Sequence, residues 1–213
     1  MIGQIACIDF EGSRRSGVFE AGWILLSGGG DLLDFHTSLY QPKKRPALHE
    51  LELSGISVDN LGGRADFVGE YQRFSELRQK AIFAAHQAST EHHLLLDYFP
   101  FPPSARAPEG GTLTRWGPWL DTLSLSKRLL PNARSYGLMV LIETLGLEKE
   151  LASEAGQRCP EDRCRPHAAL YDAIASALIL RHFLTSNGHL QSLGELISWS
   201  KSSGEGEQLD IFG

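Results

Sequence analysis

The chain has 213 residues, of which 42% are hydrophobic and 22% are charged, a composition that is typical of a globular protein and excludes a disordered or fibrous one. The net charge of −6 argues against a protein that holds nucleic acid mainly by a broad basic surface, because that mode needs many Lys and Arg side chains. Three cysteines are too few for a disulfide framework and agree with a reducing compartment. The sequence lacks a secretory signal and any run of roughly 18 apolar residues. We therefore expect a cytoplasmic protein with no membrane partner.

The first half of the sequence predicts strands and then an alternation of strands and helices. Apolar segments at 2–10, 17–26 and 32–40 are separated by short turns, which is typical of an antiparallel meander of three strands. From Arg64 onward the apolar residues fall at helical spacing, and the short apolar strand 81–85 precedes a further helix. This alternation favours parallel pairing of the later strands. The fold class expected is α/β, with a mixed sheet flanked by helices.

The second half predicts one long loop and three helices. Residues 99–118 contain five prolines and no apolar periodicity, and a loop of this length is usually functional or disordered. A short strand is expected at 119–122, followed by helices at 135–145, 166–185 and 188–200. We expect residues 1–200 to form one domain and residues 201–213 to form a flexible polar tail.

Basic residues occur in short groups, such as Arg14-Arg15 and Lys43-Lys44-Arg45. Groups of this size are more often solvated surface than binding sites. We therefore treat these basic groups as only secondary evidence for nucleic-acid binding.

Two carboxylates lie at the end of the first predicted strand. Asp9 and Glu11 are two residues apart, so their side chains share one face of the strand. Two carboxylates at one place repel each other unless a cation lies between them. The alternative is a polar strand end that enters a loop.

His167 and Asp172 form a second candidate group near the last long helix. Five residues correspond to about 140° around an ideal helix, so both side chains reach one site only if His167 lies at the helix mouth. Pro166 makes that position plausible. Asp172 is then expected in the second turn, beside an apolar face, where a carboxylate without a metal or a partner costs several kcal/mol.

A third group follows the strand 81–85. Glu91 is expected in the first turn of a helix that Ser89 or Thr90 could cap. The alternative is that Glu91 only complements the helix dipole.

Taken together and in this order, the three segments resemble the DEDDh 3′-to-5′ exonuclease family, which includes polymerase proofreading subunits, RNase T and oligoribonuclease. That family has Asp-x-Glu on the first strand, His-Asn-x-x-Phe-Asp in the middle and His-x-x-x-x-Asp near the C-terminus. The first and third motifs match at Asp9 to Glu11 and at His167 to Asp172, and Glu20-Ala21-Gly22 is similar to the family's second strand. The middle motif departs from the pattern, with Gln87, Thr90 and Glu91 in place of Asn, Phe and Asp. The resemblance implies an RNase H-like exonuclease fold.

The resemblance also implies a reaction, the hydrolysis of single-stranded DNA or RNA 3′ ends to nucleoside 5′-monophosphates with two Mg²⁺ or Mn²⁺ ions. By similarity, Asp9 bridges both ions, Glu11 and Asp172 hold the ion on the side of the attacking water, and Glu91 supports the other ion. His167 is the general base, a task that suits an imidazole. Phe10 and Phe19 are the nearest aromatic residues in sequence, and neither is assigned to base stacking.

The C-terminal residues resemble the pentapeptide with which bacterial polymerases and repair proteins bind the sliding clamp. The matching residues are Gln208, Leu209, Asp210, Ile211 and Phe212. An apolar plug on a flexible tether favours an interaction, and this tail favours DNA, in replication or repair. The alternative is an apolar C-terminus that folds back on the core.

Two other functions stay open at this point. The substitution at Glu91 could leave a non-catalytic adaptor that binds nucleic-acid ends or the clamp. The chain could also be an exoribonuclease of the RNase T or oligoribonuclease kind. Metal-dependent turnover separates the enzyme from the adaptor.

Overall fold

The computed structural model describes residues 3–106, 111–186 and 193–200. It contains a five-stranded mixed sheet and a separate two-stranded hairpin. The strands are β1 (Gln4–Ser13), β2 (Gly17–Leu26), β3 (Leu32–Leu39), β4 (Ala81–Ala85), β5 (Ala105–Arg106), β6 (Thr112–Leu113) and β7 (Trp119–Asp121).

The sheet has the order β3-β2-β1-β4-β7. Strands β1, β2 and β3 pair antiparallel, whereas β4 pairs parallel with both β1 and β7. The expected meander followed by parallel strands is therefore confirmed. The chain between β1 and β4 and the chain between β4 and β7 both contain helical segments, and parallel strands need a long crossover connection of this kind.

Helices cover both faces of the sheet. They are α1 (Leu48–Ser54), α2 (Tyr71–Lys80), α3 (Ala88–Tyr98), α4 (Thr122–Leu129), α5 (Leu138–Thr144), α6 (Glu148–Arg158), α7 (Ala169–Ser186) and α8 (Leu193–Ser200). Three 3₁₀ segments lie at Val58–Asn60, Phe67–Glu70 and Glu161–Arg163. None of the helices in the described ranges is long and apolar enough to cross a membrane.

Alternate residues of β1 face two different cores. Ile5 and Cys7 point to the face covered by α7, whereas Ala6 and Ile8 point to an aromatic core on the opposite face. Since both faces of the central strands are buried, their sequences are apolar almost throughout, as β2 illustrates with ten buried residues. Helix α7 lies across β1 and β2 and carries Asp172, whereas Glu91 lies on α3, whose Leu94 and Leu95 pack in the aromatic core.

The proline-rich segment 99–118 is anchored to the aromatic core. Trp116 is fully buried, stacks on Phe83 and donates its indole N–H to the carbonyl of Phe99 over 2.6 Å. Arg78 donates hydrogen bonds to three carbonyls of the same segment, at Pro103, Leu113 and Gly117. Apart from residues 107–110, which are not described, this segment is therefore fixed by specific side-chain contacts, although its sequence shows no apolar periodicity.

Several boundaries differ from the sequence predictions. Helix α7 begins at Ala169 rather than at residue 166, because His167 has a φ of 61° and so cannot continue a right-handed helix. Helix α3 begins at Ala88 after Gln87, which is also left-handed. No side chain caps this helix, so neither Ser89 nor Thr90 provides the cap that the sequence allowed. Helices α1, α4 and α6 were not predicted. The pentapeptide 208–212 lies outside the described residues.

Candidate active site

Asp9 and Glu11 share one face of β1, as expected from their spacing. They continue the row of Ile5 and Cys7, so they point toward the side of the sheet that α7 covers. The pairing register places Asp9 opposite Gly22 and Glu11 opposite Glu20 on β2. The register shifts between Glu11 and Gly12, so the regular part of the strand ends at the second carboxylate.

Gly22 lets α7 lie directly on β2 beside Asp9. A Cβ atom at Gly22 would lie 2.2 Å from the backbone nitrogen of Leu170 and 2.4 Å from the carbonyl carbon of Ala169. Only glycine permits this approach of helix to strand. The result is that Asp172, in the first turn of α7 rather than the second, lies close to the carboxylates of β1.

His167 and Asp172 meet Glu11 at one point. The backbone N–H of His167 donates to Oδ2 of Asp172 over 3.1 Å. Ligand atoms of Glu11, His167 and Asp172 all lie within 4.8 Å of one another. His167 is exposed, whereas only 8% of Asp172 is exposed. His167 thus lies two residues before the N-terminus of α7, where its spacing from Asp172 required it to be, and its side chain is exposed to solvent.

Glu91 is buried against the same group. Only 4% of this residue is exposed, and its Oε2 atom has no hydrogen-bond partner. Burial raises the pKa of Glu91 well above its usual range, the charge of Glu11 raises it further, and a hydrogen bond from the Phe10 backbone opposes both. A carboxylate that only complemented the helix dipole would be solvated. The dipole alternative therefore does not account for Glu91.

The carboxylates of this cluster destabilise one another's charged forms. Burial and the charges of Asp172 and Glu20 raise the pKa of Glu11 to about 8, although Arg163 and Arg165 oppose this shift. Burial is also the largest cause that raises the pKa of Asp172 to about 7. The pKa of Asp9 is raised well above its usual range by burial and then by Glu91 and Asp172. A divalent cation among these oxygen atoms would relieve the repulsion.

The donor set fits a hard divalent metal. It consists of carboxylate oxygens with one imidazole at the rim, and Mg²⁺ and Mn²⁺ prefer oxygen ligands of this kind. Two buried carboxylate oxygens without hydrogen-bond partners, Glu91 Oε2 and Asp172 Oδ1, are consistent with metal ligation, because buried polar atoms are nearly always satisfied. The residues present therefore fit the expected metal site.

Arg163 is a residue of the site that sequence reasoning did not find. Its Nε donates to Glu20 Oε1 over 3.0 Å, and its guanidinium also donates to the carbonyls of Ser54 over 2.5 Å and of His167 over 3.1 Å. Glu20 in turn accepts the backbone N–H of Ala169 over 3.3 Å. This network holds both ends of the turn that carries His167.

His86, which matches the first residue of the family's middle motif, has a structural role here. Its Nδ1 lies 3.0 Å from Thr122 Oγ1 and its Nε2 lies 2.9 Å from the carbonyl of Tyr136. Burial lowers its pKa. Phe10 and Phe19 are only 6% and 0% exposed, so neither ring is available for a nucleobase.

Known proteins resemble this chain in structure but not detectably in sequence. No family model and no curated protein matches the sequence. Among solved structures, exonuclease X in complex with 5′ overhanging duplex DNA is 17% identical with a TM-score of 0.62, covering 94% of this chain and all of that one. A 3′-exonuclease described in the recognition of the histone mRNA stem-loop is 16% identical with a TM-score of 0.65, covering 87% of this chain and 65% of that one. E. coli exonuclease I with a dT13 oligonucleotide is 13% identical with a TM-score of 0.62, covering 86% and 41%. The chain therefore has the RNase H-like fold of these exonucleases.

Proposed function

We propose that this protein is a metal-dependent 3′-to-5′ exonuclease that hydrolyses single-stranded nucleic-acid ends to nucleoside 5′-monophosphates. The observation that carries the proposal is the convergence of four carboxylates and one exposed imidazole at the end of β1. These residues are Asp9, Glu11, Glu91, Asp172 and His167. The fold shared with known exonucleases supports the same reaction class.

The carboxylates would hold two Mg²⁺ or Mn²⁺ ions, which activate a water molecule and stabilise charge on the leaving oxygen. The charges of Glu91, Asp172 and Glu11 all act on Asp9, which would help to hold both ions, and Glu11 and Asp172 would hold one of them beside His167. Glu91, which is one methylene longer than the Asp of the family pattern, would support the second ion. Its burial without a partner for Oε2 argues against the adaptor alternative, since nothing in an adaptor requires this acid to be buried.

His167 would be the general base. Its ring is exposed beside Glu11 and Asp172, and its backbone is fixed by Asp172 and Arg163. In this position the imidazole can accept a proton from a water molecule that attacks the terminal phosphodiester. The bond to the 3′ oxygen of the preceding nucleotide then breaks, and the released nucleotide keeps its 5′ phosphate.

The choice of DNA as substrate rests on the C-terminal tail. The solved structures with this fold include ones described with DNA and one described with an mRNA stem-loop, so the fold supports either sugar. The pentapeptide Gln208 to Phe212 is the feature that favours DNA, in replication or repair in the bacterial cytoplasm. An exoribonuclease is the second candidate.

The experiment that tests the proposal is degradation of matched single-stranded DNA and RNA oligonucleotides labelled at the 5′ end, with Mg²⁺, Mn²⁺ or EDTA. We expect stepwise shortening with metal, none with EDTA and none with Asp9→Ala. The relative rates rank DNA against RNA. Folded protein that shortens neither oligonucleotide with either metal would leave the adaptor as the better account.

The clamp interaction has its own test. Deletion of residues 208–213 is expected to abolish binding to a bacterial sliding clamp and to leave hydrolysis of a short oligonucleotide unchanged. The matched control is substitution of Ser202 and Ser203, in the same tail, by alanine. Clamp binding that survives the deletion contradicts the role given to the tail.

A further inference from the structure

Two basic groups that are separate in the sequence meet at the tip of the β1–β2 hairpin. Arg14 and Arg15 lie in the turn of that hairpin, and Lys43, Lys44 and Arg45 follow β3. The backbone N–H of Lys44 donates to the carbonyl of Ser16 over 3.3 Å. The stem of Lys43 packs on Gly17, where an added Cβ would lie 3.0 Å from Lys43 Cγ. All five side chains are exposed, and we call them the five-cation surface.

Most of this charge is not neutralised locally. Arg14 binds Asp97 through two hydrogen bonds of 2.9 and 3.0 Å, and the ammonium of Lys43 lies 3.4 Å from the centre of the Tyr98 ring. Within the described ranges, Arg15, Lys44 and Arg45 form no salt bridge. Among the described residues, the acids that hydrogen-bond to the hairpin tip are Asp97 and Glu50, and Glu50 accepts from Ser16 Oγ over 2.8 Å. The surface therefore keeps an excess of about three positive charges in a chain whose net charge is −6.

The five-cation surface directly follows the carboxylate cluster along β1. Arg14 is three residues beyond Glu11, which corresponds to roughly 10 Å of extended chain. A nucleic acid whose 3′ end lay among the acidic residues would be repelled by them and would be attracted by the neighbouring cations. The tip of the hairpin is held to α3 through Arg14 and Asp97 and through the Tyr98 hydroxyl, which accepts the backbone N–H of Val18 over 3.1 Å. The surface is thus fixed relative to Glu91, which lies on the same helix.

We propose that the five-cation surface binds the phosphodiester backbone of the substrate, beyond the nucleotides that occupy the carboxylate cluster. The inference rests on the proposed function and adds the means by which an acidic protein holds its polyanionic substrate. The contacts are to phosphate, so they carry no information on base sequence. Their contribution falls as salt rises, because binding releases counterions from the nucleic acid.

The test compares two triple variants of equal charge change. Arg15→Ala/Lys44→Ala/Arg45→Ala removes the three cations of the surface that form no salt bridge with a described residue. Lys80→Ala/Arg106→Ala/Lys149→Ala removes three exposed cations elsewhere on the chain. Each protein is assayed with Mn²⁺ on the p-nitrophenyl ester of thymidine 5′-monophosphate, which is too short to reach the surface, and on 20-nucleotide DNA and RNA. A duplex with a 3′ overhang is assayed in parallel. Binding of the same long substrates is measured in EDTA at several salt concentrations.

We expect the ester to be hydrolysed at the wild-type rate by both variants. On the long substrates the first variant is expected to lose about tenfold or more in kcat/KM, mainly through a higher KM. The slope of its plot of log affinity against log salt concentration is expected to be smaller in magnitude by about 2, because each lost contact to a single-strand phosphate removes about 0.7. A loss confined to the duplex assigns the surface to the second strand. The control variant is expected to match wild type in all of these measurements.

Equal behaviour of the two variants on the long substrates overturns the proposal, and so does binding of poly-glutamate as tight as that of an oligonucleotide of equal charge. A wild-type protein that hydrolyses neither the ester nor the oligonucleotides contradicts the proposed function instead. In that case the binding measurements in EDTA still decide whether the surface holds nucleic acid.

Discussion

Arg163 and Glu20 form a buried ion pair between residues 143 positions apart in the sequence, with 9% and 2% of their side chains exposed. Glu20 lies opposite Glu11 in the sheet, and Arg163 also binds the carbonyl of His167. The pair thus joins the strand that lines the carboxylate cluster to the turn that carries the candidate base. It also places a positive charge beside acids that would otherwise repel one another more strongly.

Loss of one partner of this pair is expected to destabilise the fold strongly. Arg163→Ala leaves the Glu20 carboxylate buried without compensation, which costs about 3–5 kcal/mol in comparable buried pairs. The matched control is Arg134→Ala, since Arg134 pairs with Glu143 at the surface and exposed pairs contribute about 0–1 kcal/mol. Urea denaturation measures both. Glu20→Ala/Arg163→Ala is expected to cost less than the sum of the single changes, and additive losses contradict direct coupling.

Gly22→Ala is expected to push α7 away from β2. The added methyl would lie 2.2 Å from the Leu170 nitrogen, and overpacking of this kind costs about 1–3 kcal/mol. Activity is expected to fall further than stability alone explains, because Asp172 moves with the helix. Gly156→Ala is the control, since Gly156 lies in α6 with nothing within 4 Å of an added Cβ, and alanine there stabilises a helix by about 1 kcal/mol. Thermal melts and the nuclease assay test the pair, and a tolerated Gly22→Ala contradicts the close approach.

The antiparallel meander and the later parallel strands could be predicted from the sequence, because apolar periodicity and the alternation of strands and helices indicate them. The segments that became β2 and β4 were placed at their observed bounds, 17–26 and 81–85. Helix α6 was missed because its sequence has few apolar residues. The predicted N-terminus of helix α7, residue 166, precedes the observed one, Ala169, because apolar periodicity does not indicate the left-handed conformation of His167.

The site could be predicted only as far as local motifs reach. Asp9 and Glu11 share a face because of strand geometry, and the need for His167 at the helix mouth followed from helix geometry. The ion pair of Arg163 with Glu20 has no local signal, since it depends on how α7 packs on the sheet. The five-cation surface was missed for the same reason, because its two halves are brought together by the hairpin and the segment after β3.

The metal-free protein is expected to lose stability as pH rises from about 4 to 8. The pKa of Glu11 is raised to about 8 and that of Asp172 to about 7, so the folded protein holds protons that the unfolded chain has released above about pH 4. The protonated carboxyls of Glu11 and Asp172 therefore add to the free energy of unfolding. This added stability is fully present below the pKa values of the unfolded chain and is lost as pH rises through those of the folded protein. Since metal ligands must be deprotonated, Mn²⁺ is expected to offset this loss.

Differential scanning fluorimetry measures this effect. We expect the rise in Tm on replacing EDTA with Mn²⁺ to be larger at pH 8 than at pH 6. Asp9→Asn is expected to melt higher than wild type in EDTA at pH 8, because it removes one of the repelling charges. A Tm that does not depend on pH in EDTA contradicts the electrostatic account of the cluster.

Glu91 is expected to be needed for the reaction but not for folding. Glu91→Gln removes a buried charge whose ionisation is opposed by burial and by Glu11, so the metal-free protein is expected to be more stable at pH 8. Metal affinity or activity is expected to fall by about 10- to 100-fold, as for residues that support a metal through water. Glu91→Asp keeps the charge and is expected to keep more activity than Glu91→Gln. Equal activity of all three proteins would mean that Glu91 takes no part.

The most direct test of the central claim is the identity of the product formed in H₂¹⁸O. If His167 and the carboxylate cluster deliver water to the terminal phosphodiester, mass spectrometry of a digested oligonucleotide is expected to show nucleoside 5′-monophosphates that carry one ¹⁸O on phosphorus. Their release is expected to need Mg²⁺ or Mn²⁺ and to disappear in Asp9→Ala. Nucleoside 3′-monophosphates, or 5′-monophosphates that Asp9→Ala releases equally well, would contradict the assignment of this cluster as the active site of a 3′-to-5′ exonuclease.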